Sequence, residues 1–510
     1  MARRNWRKRG KTASIKRMSR GENHLNRLTK MSLAVALGLA GLSAAWRIMS
    51  GPRAEAQLVP AAKVLSATTT TPVPKTADAT LSSTPVNSLA FTAKRGDSVN
   101  SVARKYLPQT SYLTTSQLAE AIRKANGDLQ GSFLKAGQNL TIPGALNSPI
   151  AEKLVPVDKD FEVRAIYLTG VMAASDHGIR IVQRWRELGG NAVVFDIKDS
   201  DGSVNIPFDH PLLGAHRAAI RDLPKYTHFL HSQGMHAIAR VAIFRDERLV
   251  TTHPELAVKS HKTGQPWREN GKLVWTDPSQ TKVQDYDIAL AKKAAEGGVD
   301  EVQFDYVRFP AEGDQKDASF VFQTEHPAWH RSDVIANFLD RAYAELHPAA
   351  VLFSLDVFGV MAWQRPIDLN HTGQDIVAMA KHCDVLSPMI YPSHFFGMDG
   401  YDHPGDAPEH FIGESMERFE LITKGSGVVI RPWLQAFHWR TKTYSPQYIE
   451  TQVLTAKSKG GNGFLFWNAA NDYSKPYAAM PAMRAEKGKY FRGDELPATI
   501  ARADLTSPAK

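Results

Sequence analysis

Eight short apolar runs alternate with longer helical patterns in the second half of the chain, and this alternation constrains the fold more than any other feature. Short buried strands separated by amphipathic helices build parallel sheets. Eight strand-helix units in about 320 residues predict an α/β fold, a (β/α)8 TIM barrel with its active site at the C-terminal ends of the strands. The barrel is expected over residues 160–485, with runs at 164–170, 192–198, 237–244, 301–307, 351–358, 385–391, 429–437 and 463–468.

Alternation along each strand predicts which side chains point into the barrel. In the fourth run Gln303 and Asp305 share one face, and in the fifth Ser354 and Asp356 do. The same parity predicts further inward-facing side chains on the other strands, namely Asp196, Lys198, Arg240, Ser387, Tyr391, Gln435 and Trp467. These side chains are expected at the end of the barrel where its chemistry is done.

Asp305 and Asp356 are the candidate catalytic residues, because a buried carboxylate is costly unless it is paired or used. Glycoside hydrolysis needs two carboxyl groups, about 5–5.5 Å apart for retention of configuration and about 6.5–9.5 Å apart for inversion. Neighbouring strands lie about 4.7–4.9 Å apart, which suits the shorter distance, although strand stagger could equally give the longer one. The alternative is a structural network in which either Asp pairs with Arg308, Arg240 or Lys198.

The substrate-binding prediction covers residues on or just after the strands. They are Asp196, Lys198, Arg240, Arg308, Tyr391, His394, Gln435 and Trp467. Aromatic rings suit the apolar face of a sugar, so Trp467 is expected either to stack on a pyranose or to pack at the barrel bottom. The sequence contains no HExxH, GxSxG or GxxxxGK[ST] motif, and we expect neither a metal nor a cofactor.

A family resemblance rests on GGVDEVQFDYVRFP, VVFDIKDSDG, SLDVFG, LSPMIYPSHF and GFLFWNA, within about residues 163–475. This part of the chain resembles the glycoside hydrolase barrel family, formerly a domain of unknown function, that is related to the α-amylase-type enzymes. The resemblance implies that Asp305 takes the place of the nucleophile and Asp356 that of the acid/base. Gln303 stands where amylases usually carry an arginine, and amylases use a glutamate as the acid.

Residues 91–145 form a smaller predicted α+β unit, which opens with FTAKRGDSVNSVARKY and closes with LKAGQNLTIPG. A short strand, two helices and a closing strand are expected, with Asp97 or Ser98 as a helix cap. The unit resembles the LysM module, and the resemblance implies binding to peptidoglycan or another N-acetylglucosamine-containing glycan. A structural spacer without glycan binding is the alternative. A further hairpin turn is expected at Asn270 and Gly271, between Trp267 and Trp275.

The composition of the N-terminal region predicts that the protein is exported. Residues 1–30 contain 11 Lys and Arg against one acidic residue, and residues 31–49 are mostly apolar. We interpret them as a basic cytoplasmic segment and a transmembrane signal-anchor, with a cleaved signal peptide and secretion as the alternative. Residues 50–90 have the composition of a disordered linker and 486–510 form a tail. The rest of the chain is charge-balanced, so nucleic acid is not an expected partner.

These predictions combine into one hypothesis for function. The chain is expected to be a cell-envelope glycoside hydrolase, anchored in the inner membrane with the barrel in the periplasm, that cleaves a polysaccharide with Asp305 and Asp356. A non-catalytic glycan-binding protein and a glycan lyase or transglycosylase are the alternatives. The sequence leaves the sugar, the linkage and the stereochemistry open.

Overall fold

The computed structural model describes residues 87–152 and 156–493. Its contacts divide this part of the chain into two compact units, the first ending at Pro149 and the second beginning at Ile150. The predictions for residues 1–49, for nearly all of the linker and for most of the tail lie outside the described residues. Within 87–152 and 156–493, no helix is both long and apolar enough to cross a membrane.

The first unit pairs two strands and packs two helices against them. The antiparallel strands are β1 (Ser88–Thr92) and β2 (Asn139–Pro143). The helices are α1 (Val99–Tyr106) and α2 (Thr115–Ala125), separated by a 3-10 turn. Buried apolar side chains from both helices and from β2 form a core of their own. The predicted strand, two helices and closing strand are confirmed.

Both helices of this unit begin at a hydroxyl residue. The side chain of Ser98 accepts a hydrogen bond from the backbone N–H of Ser101, and that of Thr114 accepts one from Gln117. In each case the third helical residue bonds back to the cap, which satisfies two otherwise unpaired donors. Of the two expected caps for α1, Ser98 takes the position. Asp97 instead accepts from the backbone N–H of Lys94 in the preceding turn.

The second unit is a closed parallel barrel. Eight strand positions form its wall, and the barrel is closed because the last strand pairs with the first. The strands of this unit are β3 (Val163–Leu168), β4 (Ala192–Lys198), β5 (His236–Ala242), β6 (Lys259–Ser260), β7 (Glu301–Asp305), β8 (Ala318–Ser319), β9 (Leu352–Phe358), β10 (Val385–Ile390), β11 (Val429–Ile430), β12 (Trp433–Gln435) and β13 (Gly463–Trp467). The short pair β6 and β8 is antiparallel and lies outside the barrel sheet. Each of the eight predicted runs overlaps a barrel strand.

The seventh barrel position is split into β11 and β12, where one continuous run was predicted. Arg431 and Pro432 separate the two pieces. Proline has no N–H and cannot donate to the sheet ladder, which explains the break. The strand direction is nevertheless maintained, because β11 and β12 both pair with β10 in parallel.

The helices of the second unit follow the barrel strands in sequence. They are α3 (Gly170–Ala173), α4 (Asp176–Glu187), α5 (Leu223–Ser232), α6 (Glu247–Thr252), α7 (Thr281–Glu296), α8 (Phe322–Glu325), α9 (Arg331–Leu346), α10 (Pro366–Thr372), α11 (Ile376–Met379), α12 (Pro408–Ile422), α13 (Pro446–Ser458), α14 (Ser474–Ala485) and α15 (Lys487–Tyr490). Alternating strand residues pack beneath them: the Phe304 ring lies 6.0 Å from Phe338 of α9 and 4.9 Å from Phe353 of β9. This outer packing leaves the neighbouring Gln303 and Asp305 to face the barrel interior.

The predicted hairpin turn between β6 and β7 is confirmed. Asn270 and Gly271 both have positive φ, 49° and 86°, and Glu269 bridges to Lys272 across the turn. Two consecutive positive φ values are typical of a type I′ turn, which favours the Asn-Gly pair.

Gly463, the first residue of β13, gives a prediction for barrel closure. Its φ is +79°, and an added Cβ would lie 2.0 Å from the carbonyl oxygen of Val163 on β3. We expect Gly463→Ala to combine a left-handed penalty of about 1–2 kcal/mol with a further steric cost of about 1–3 kcal/mol. Urea unfolding of the barrel measures the sum.

Gly425 is the matched control for that substitution. Its φ is +84°, yet nothing lies within 4 Å of an added Cβ, so Gly425→Ala carries the backbone penalty alone. Equal losses of stability in the two variants would show that closure of the barrel does not depend on the close approach of β13 and β3.

Candidate active site

One arginine near the C-terminal ends of the strands gathers three carboxylates. Nη1 of Arg240 donates to Oδ1 of Asp196 at 2.5 Å, and Nη2 donates to Oδ2 of Asp305 at 2.5 Å. Its Nε lies 3.8 Å from Oδ2 of Asp356. All four side chains are buried. Four of the sequence-predicted residues are therefore brought together around one guanidinium.

The sheet register explains how these side chains meet. Asp196 of β4 lies beside Arg240 of β5, and Arg240 lies beside Gln303 of β7. Asp305, two residues beyond Gln303, faces the same interior because side chains alternate along a strand. Burial lowers the pKa of Arg240, but the carboxylates of Asp196 and Asp305 raise it further, so the net shift is upward and the guanidinium remains charged.

Asp305 is held by the backbone immediately after it. Tyr306 has a φ of +60°, a left-handed conformation that is uncommon for an aromatic residue. The N–H of Tyr306 donates to Oδ1 of Asp305 at 2.6 Å, so both carboxylate oxygens accept a hydrogen bond. Both donors stabilise negative charge on Asp305. A strained backbone at this point is typical of a site where geometry is maintained for function.

Asp356 lies in a different environment from Asp305. Its side chain is 1% exposed, against 9% for Asp305. The indole N–H of Trp433 donates to its Oδ1 at 2.7 Å. Burial, together with the negative charge of Asp305, raises the pKa of Asp356 well above the ordinary carboxyl range despite the opposing effect of Arg240. The two carboxyl groups therefore lie in contrasting environments: Asp305 accepts two hydrogen bonds, whereas the raised pKa of Asp356 favours its protonated form.

An aromatic wall lies against the arginine. The rings of Tyr167 and Trp467 stack with centroids 4.1 Å apart, and Trp433 meets Trp467 edge-on at 5.6 Å. The guanidinium of Arg240 lies 5.2 Å from the Trp467 ring and 5.7 Å from that of Tyr167. Trp467 ends β13, so it lies with the carboxylates and not at the opposite end of the barrel.

Sequence reasoning missed three residues of the site. Tyr167 donates its hydroxyl to Asp196, and Trp433 donates to Asp356. The alternation of side chains along a strand would have found both. Tyr167 lies two residues after Ala165 and points to the same face of β3, and Trp433 lies two residues before Gln435 and points to the same face of β12. Asp199, just beyond β4, is the third: burial raises its pKa, and its charge raises the pKa of Asp196. Nothing in the strand pattern signals Asp199.

Lys198 is not brought to Asp305 and Asp356. The pairing of β4 with β5 shifts register between Asp196 and Lys198, which breaks the alternation on which the inward prediction depended. The Lys198 ammonium instead lies 3.1 Å from Asp246 and 3.3 Å from Asp287 of α7, beneath the helices. Placement of Lys198 on the inner face with Asp196 is therefore wrong, and the physical reason is the bulge.

Arg308 and Gln435 lie at the mouth of the barrel in contact with other loops. The guanidinium of Arg308 lies over the rings of Trp275 and Phe358, at 4.8 and 4.4 Å, and donates to the carbonyl of Phe309. Gln435 donates to the carbonyls of Phe437 and Trp439 and accepts from the N–H of Ser393. The Gln435 amide is therefore used to join the loops that follow β10 and β12.

Tyr391 and His394 line a cleft next to Asp356. The cleft is small and is also lined by Phe358, Gly359, Val360, Met389 and Phe395. Burial, with the charges of Asp356 and Asp305, raises the pKa of Tyr391 well above its ordinary value, so its hydroxyl remains a donor. Burial lowers the pKa of His394 to about 3, and the imidazole is neutral. Within 87–152 and 156–493, no group of three or more His, Cys, Asp or Glu side chains is arranged to hold a metal ion.

Comparison with protein families matches both units. Residues 165–473 match the family described as "Putative glycosyl hydrolase domain", and residues 91–143 match the LysM domain. The first match covers more than half of the chain. The chain belongs to this glycosyl hydrolase family. It is thus an enzyme of the glycosidase class that carries a LysM domain, and no curated protein matches it.

Solved structures give further similarities. A hypothetical protein from Ruminiclostridium thermocellum is 36% identical, with 38% of this chain and 97% of that chain covered and a TM-score of 0.34. The spore cortex-lytic enzyme SleL of Bacillus megaterium is 13% identical over 81% of this chain and 89% of its own, with a TM-score of 0.40. An α-galactosidase from Thermus thermophilus is 14% identical over 71% and 69%, with a TM-score of 0.41.

Proposed function

We propose that this glycosyl hydrolase cleaves a cell-envelope polysaccharide, with Asp305 as the nucleophile and Asp356 as the acid/base. The observation that carries the proposal is the shared guanidinium of Arg240, which meets two carboxyl groups in contrasting environments. Asp305 accepts from Arg240 and from a backbone N–H, whereas burial and the neighbouring charge of Asp305 raise the pKa of Asp356 and favour its protonated form. Two carboxyl groups held in different protonation states are what acid-assisted glycosidic cleavage requires.

The proposed reaction has two steps. An Asp305 oxygen attacks the anomeric carbon while Asp356 gives its proton to the glycosidic oxygen, so the carbon–oxygen bond breaks and an alcohol leaves. The Asp356 carboxylate then removes a proton from water, and the resulting hydroxide attacks the anomeric carbon. The Asp305–sugar bond breaks, and both carboxyl groups regain their starting states. Arg240 stabilises the carboxylate charges throughout.

Strand pairing supports retention of configuration. Gln303 and Phe304 of β7 lie beside Ser354 and Leu355 of β9. If the same offset continues for one more residue, Asp305 lies beside Asp356. Neighbouring strands are about 4.7–4.9 Å apart, close to the separation of about 5–5.5 Å in retaining enzymes. The roles also agree with the α-amylase-type positions that the sequence motifs imply. Nuclear magnetic resonance of the first-formed anomer tests retention directly.

The envelope assignment rests on the other parts of the chain. LysM domains support binding to N-acetylglucosamine-containing glycans such as peptidoglycan, which would keep the barrel near a polymeric substrate. The basic segment and the apolar segment at residues 1–49 support an inner-membrane anchor with the barrel in the periplasm. On the barrel, Trp467 and Tyr167 offer ring faces beside Arg240 for a sugar.

Release of reducing ends from a panel of envelope glycans and α- and β-glucans tests the function. Hydrolysis adds one water for each bond cut, so product mass separates it from lyase or transglycosylase chemistry. Glycan retention without any new product would instead support a binding protein, in which the contacts of Arg240 with Asp196 and Asp305 are structural. That result would overturn the hydrolase proposal.

The raised pKa of Asp356 predicts the alkaline side of the pH profile. The acid is active only while protonated, so kcat/KM should fall as pH rises through a pKa that lies above the ordinary carboxyl range. A glycosyl fluoride needs no proton on its leaving group and should lack this decline in its first step. Identical alkaline declines for the glycan and the fluoride would contradict the acid role of Asp356.

A further inference from the structure

The cleft beyond Asp356 contains an unpaired polar atom in apolar surroundings. Nε2 of His394 is buried and has no hydrogen-bond partner in the described part of the chain, and the residue is 6% exposed. The other ring nitrogen, Nδ1, lies 3.2 Å from the hydroxyl oxygen of Ser393. When that hydroxyl donates to Nδ1, Nε2 carries the hydrogen and is an unpaired donor on a residue that lines the cleft. A buried donor left unpaired costs free energy, which a ligand acceptor would recover.

The position of the imidazole is fixed by its neighbours. The His394 ring lies 5.4 Å from that of Tyr391 and 4.8 Å from that of Trp439. The guanidinium of Arg440 lies 4.6 Å from the Trp439 ring, and its positive charge adds to burial in keeping His394 neutral. A neutral N–H beside a cation favours an uncharged carbonyl oxygen over a cationic ligand.

The residues that line the cleft indicate which chemical groups can lie beside a bound carbonyl oxygen. Apart from His394 they are Phe358, Gly359, Val360, Met389, Tyr391 and Phe395. An added Cβ at Gly359 would lie 3.1 Å from the Phe395 ring and 2.6 Å from the Met389 carbonyl oxygen, so the absence of a side chain there allows Phe395 and Met389 to approach the backbone closely. Two donors, Nε2–H of His394 and the Tyr391 hydroxyl, lie among otherwise apolar walls. They match a ligand group that has one carbonyl oxygen with two lone pairs and a methyl group.

We propose that this cleft binds the acetyl group of an acetylated sugar, with Nε2–H of His394 donating to the acetyl carbonyl oxygen. The methyl group contacts the apolar walls. Phe358, the first residue that lines the cleft, follows Asp356 by two residues on β9. It lies beside Met389 of β10, which also lines the cleft. The acetylated sugar therefore lies next to the catalytic pair. The inference deepens the proposed function and rests on it, because the sugar recognised is the one to be cleaved.

Hydrogen–deuterium exchange of the full chain carrying Asp305→Asn tests this binding without turnover. The probes are an N-acetylglucosamine tetramer, cellotetraose, and cellotetraose carrying O-acetyl groups. We expect acetylated probes to protect residues 391–398, and cellotetraose not to. Protection by the N-acetyl or by the O-acetyl probe alone identifies which acetyl source the cleft accepts. Residues 91–143 are followed separately, because the LysM domain can bind the first probe by itself.

Two substitutions separate recognition from structure. In the same Asp305→Asn background, His394→Phe keeps an aromatic ring but removes the donor, and it should weaken binding of the acetylated probe by roughly tenfold. His394→Gln keeps an N–H donor and should retain more of the affinity. Equal protection of residues 391–398 by all three probes, or protection by none, would overturn the proposal. Acetyl-dependent protection, together with a lack of glycan cleavage by the unsubstituted chain, would instead overturn only the catalytic function.

Discussion

Asp305→Asn should reduce kcat by at least on the order of 10⁴-fold while the barrel remains folded. The amide removes the nucleophilic charge, but one oxygen can still accept from Arg240 or from the N–H of Tyr306. Arg240 also keeps its contacts with Asp196 and Asp356. Reducing-end release measures the activity, and circular dichroism with urea unfolding measures the fold.

Asp314→Asn is the matched control, because Asp314 lies in the loop after the same strand and its side chain is 54% exposed. It should leave kcat within a factor of two or so, since isolated surface substitutions have small effects. Activity of Asp305→Asn at the level of the unsubstituted chain would refute the nucleophile assignment. Loss of activity together with unfolding would indicate that Asp305 acts in the structural network instead.

Arg240→Leu should cost about 3–5 kcal/mol of the free energy of unfolding, because it leaves buried carboxylates without their cation. Asp196 and Asp305 each lose a hydrogen bond of 2.5 Å, and Asp356 loses its nearest positive charge. The carboxyl groups then take up protons, so the loss of stability should grow as pH rises through neutrality. Urea unfolding between pH 5 and pH 8, roughly the range of maximal protein stability, measures it.

Two further variants identify the cause of that loss. Arg180→Leu removes an exposed arginine of α4 and should change stability by less than about 0.5 kcal/mol. Adding Asp196→Asn to Arg240→Leu removes one of the stranded charges and should recover part of the stability. A loss below about 1 kcal/mol in Arg240→Leu, or no recovery in the double variant, would show that the carboxylates do not depend on this guanidinium.

Local sequence determines much of both the LysM domain and the barrel. Ser98 and Thr114 cap their helices through residues three positions away, so the start of each helix can be read from adjacent sequence. The eight barrel strands are equally local, because each one is a short apolar run. The split of the seventh position was still missed, although Pro432 marks it in the sequence.

The sequence by itself determined the eight strands, their order and the inward direction of Asp305, Asp356 and Arg240, because a period of two along a strand is a local property. Only the tertiary structure decided how those side chains meet. The register shift at Lys198 turned it beneath the helices, the left-handed backbone at Tyr306 directed an N–H at Asp305, and packing left His394 with a free nitrogen. Register, backbone strain and burial depend on residues distant in the chain, so no local pattern records them.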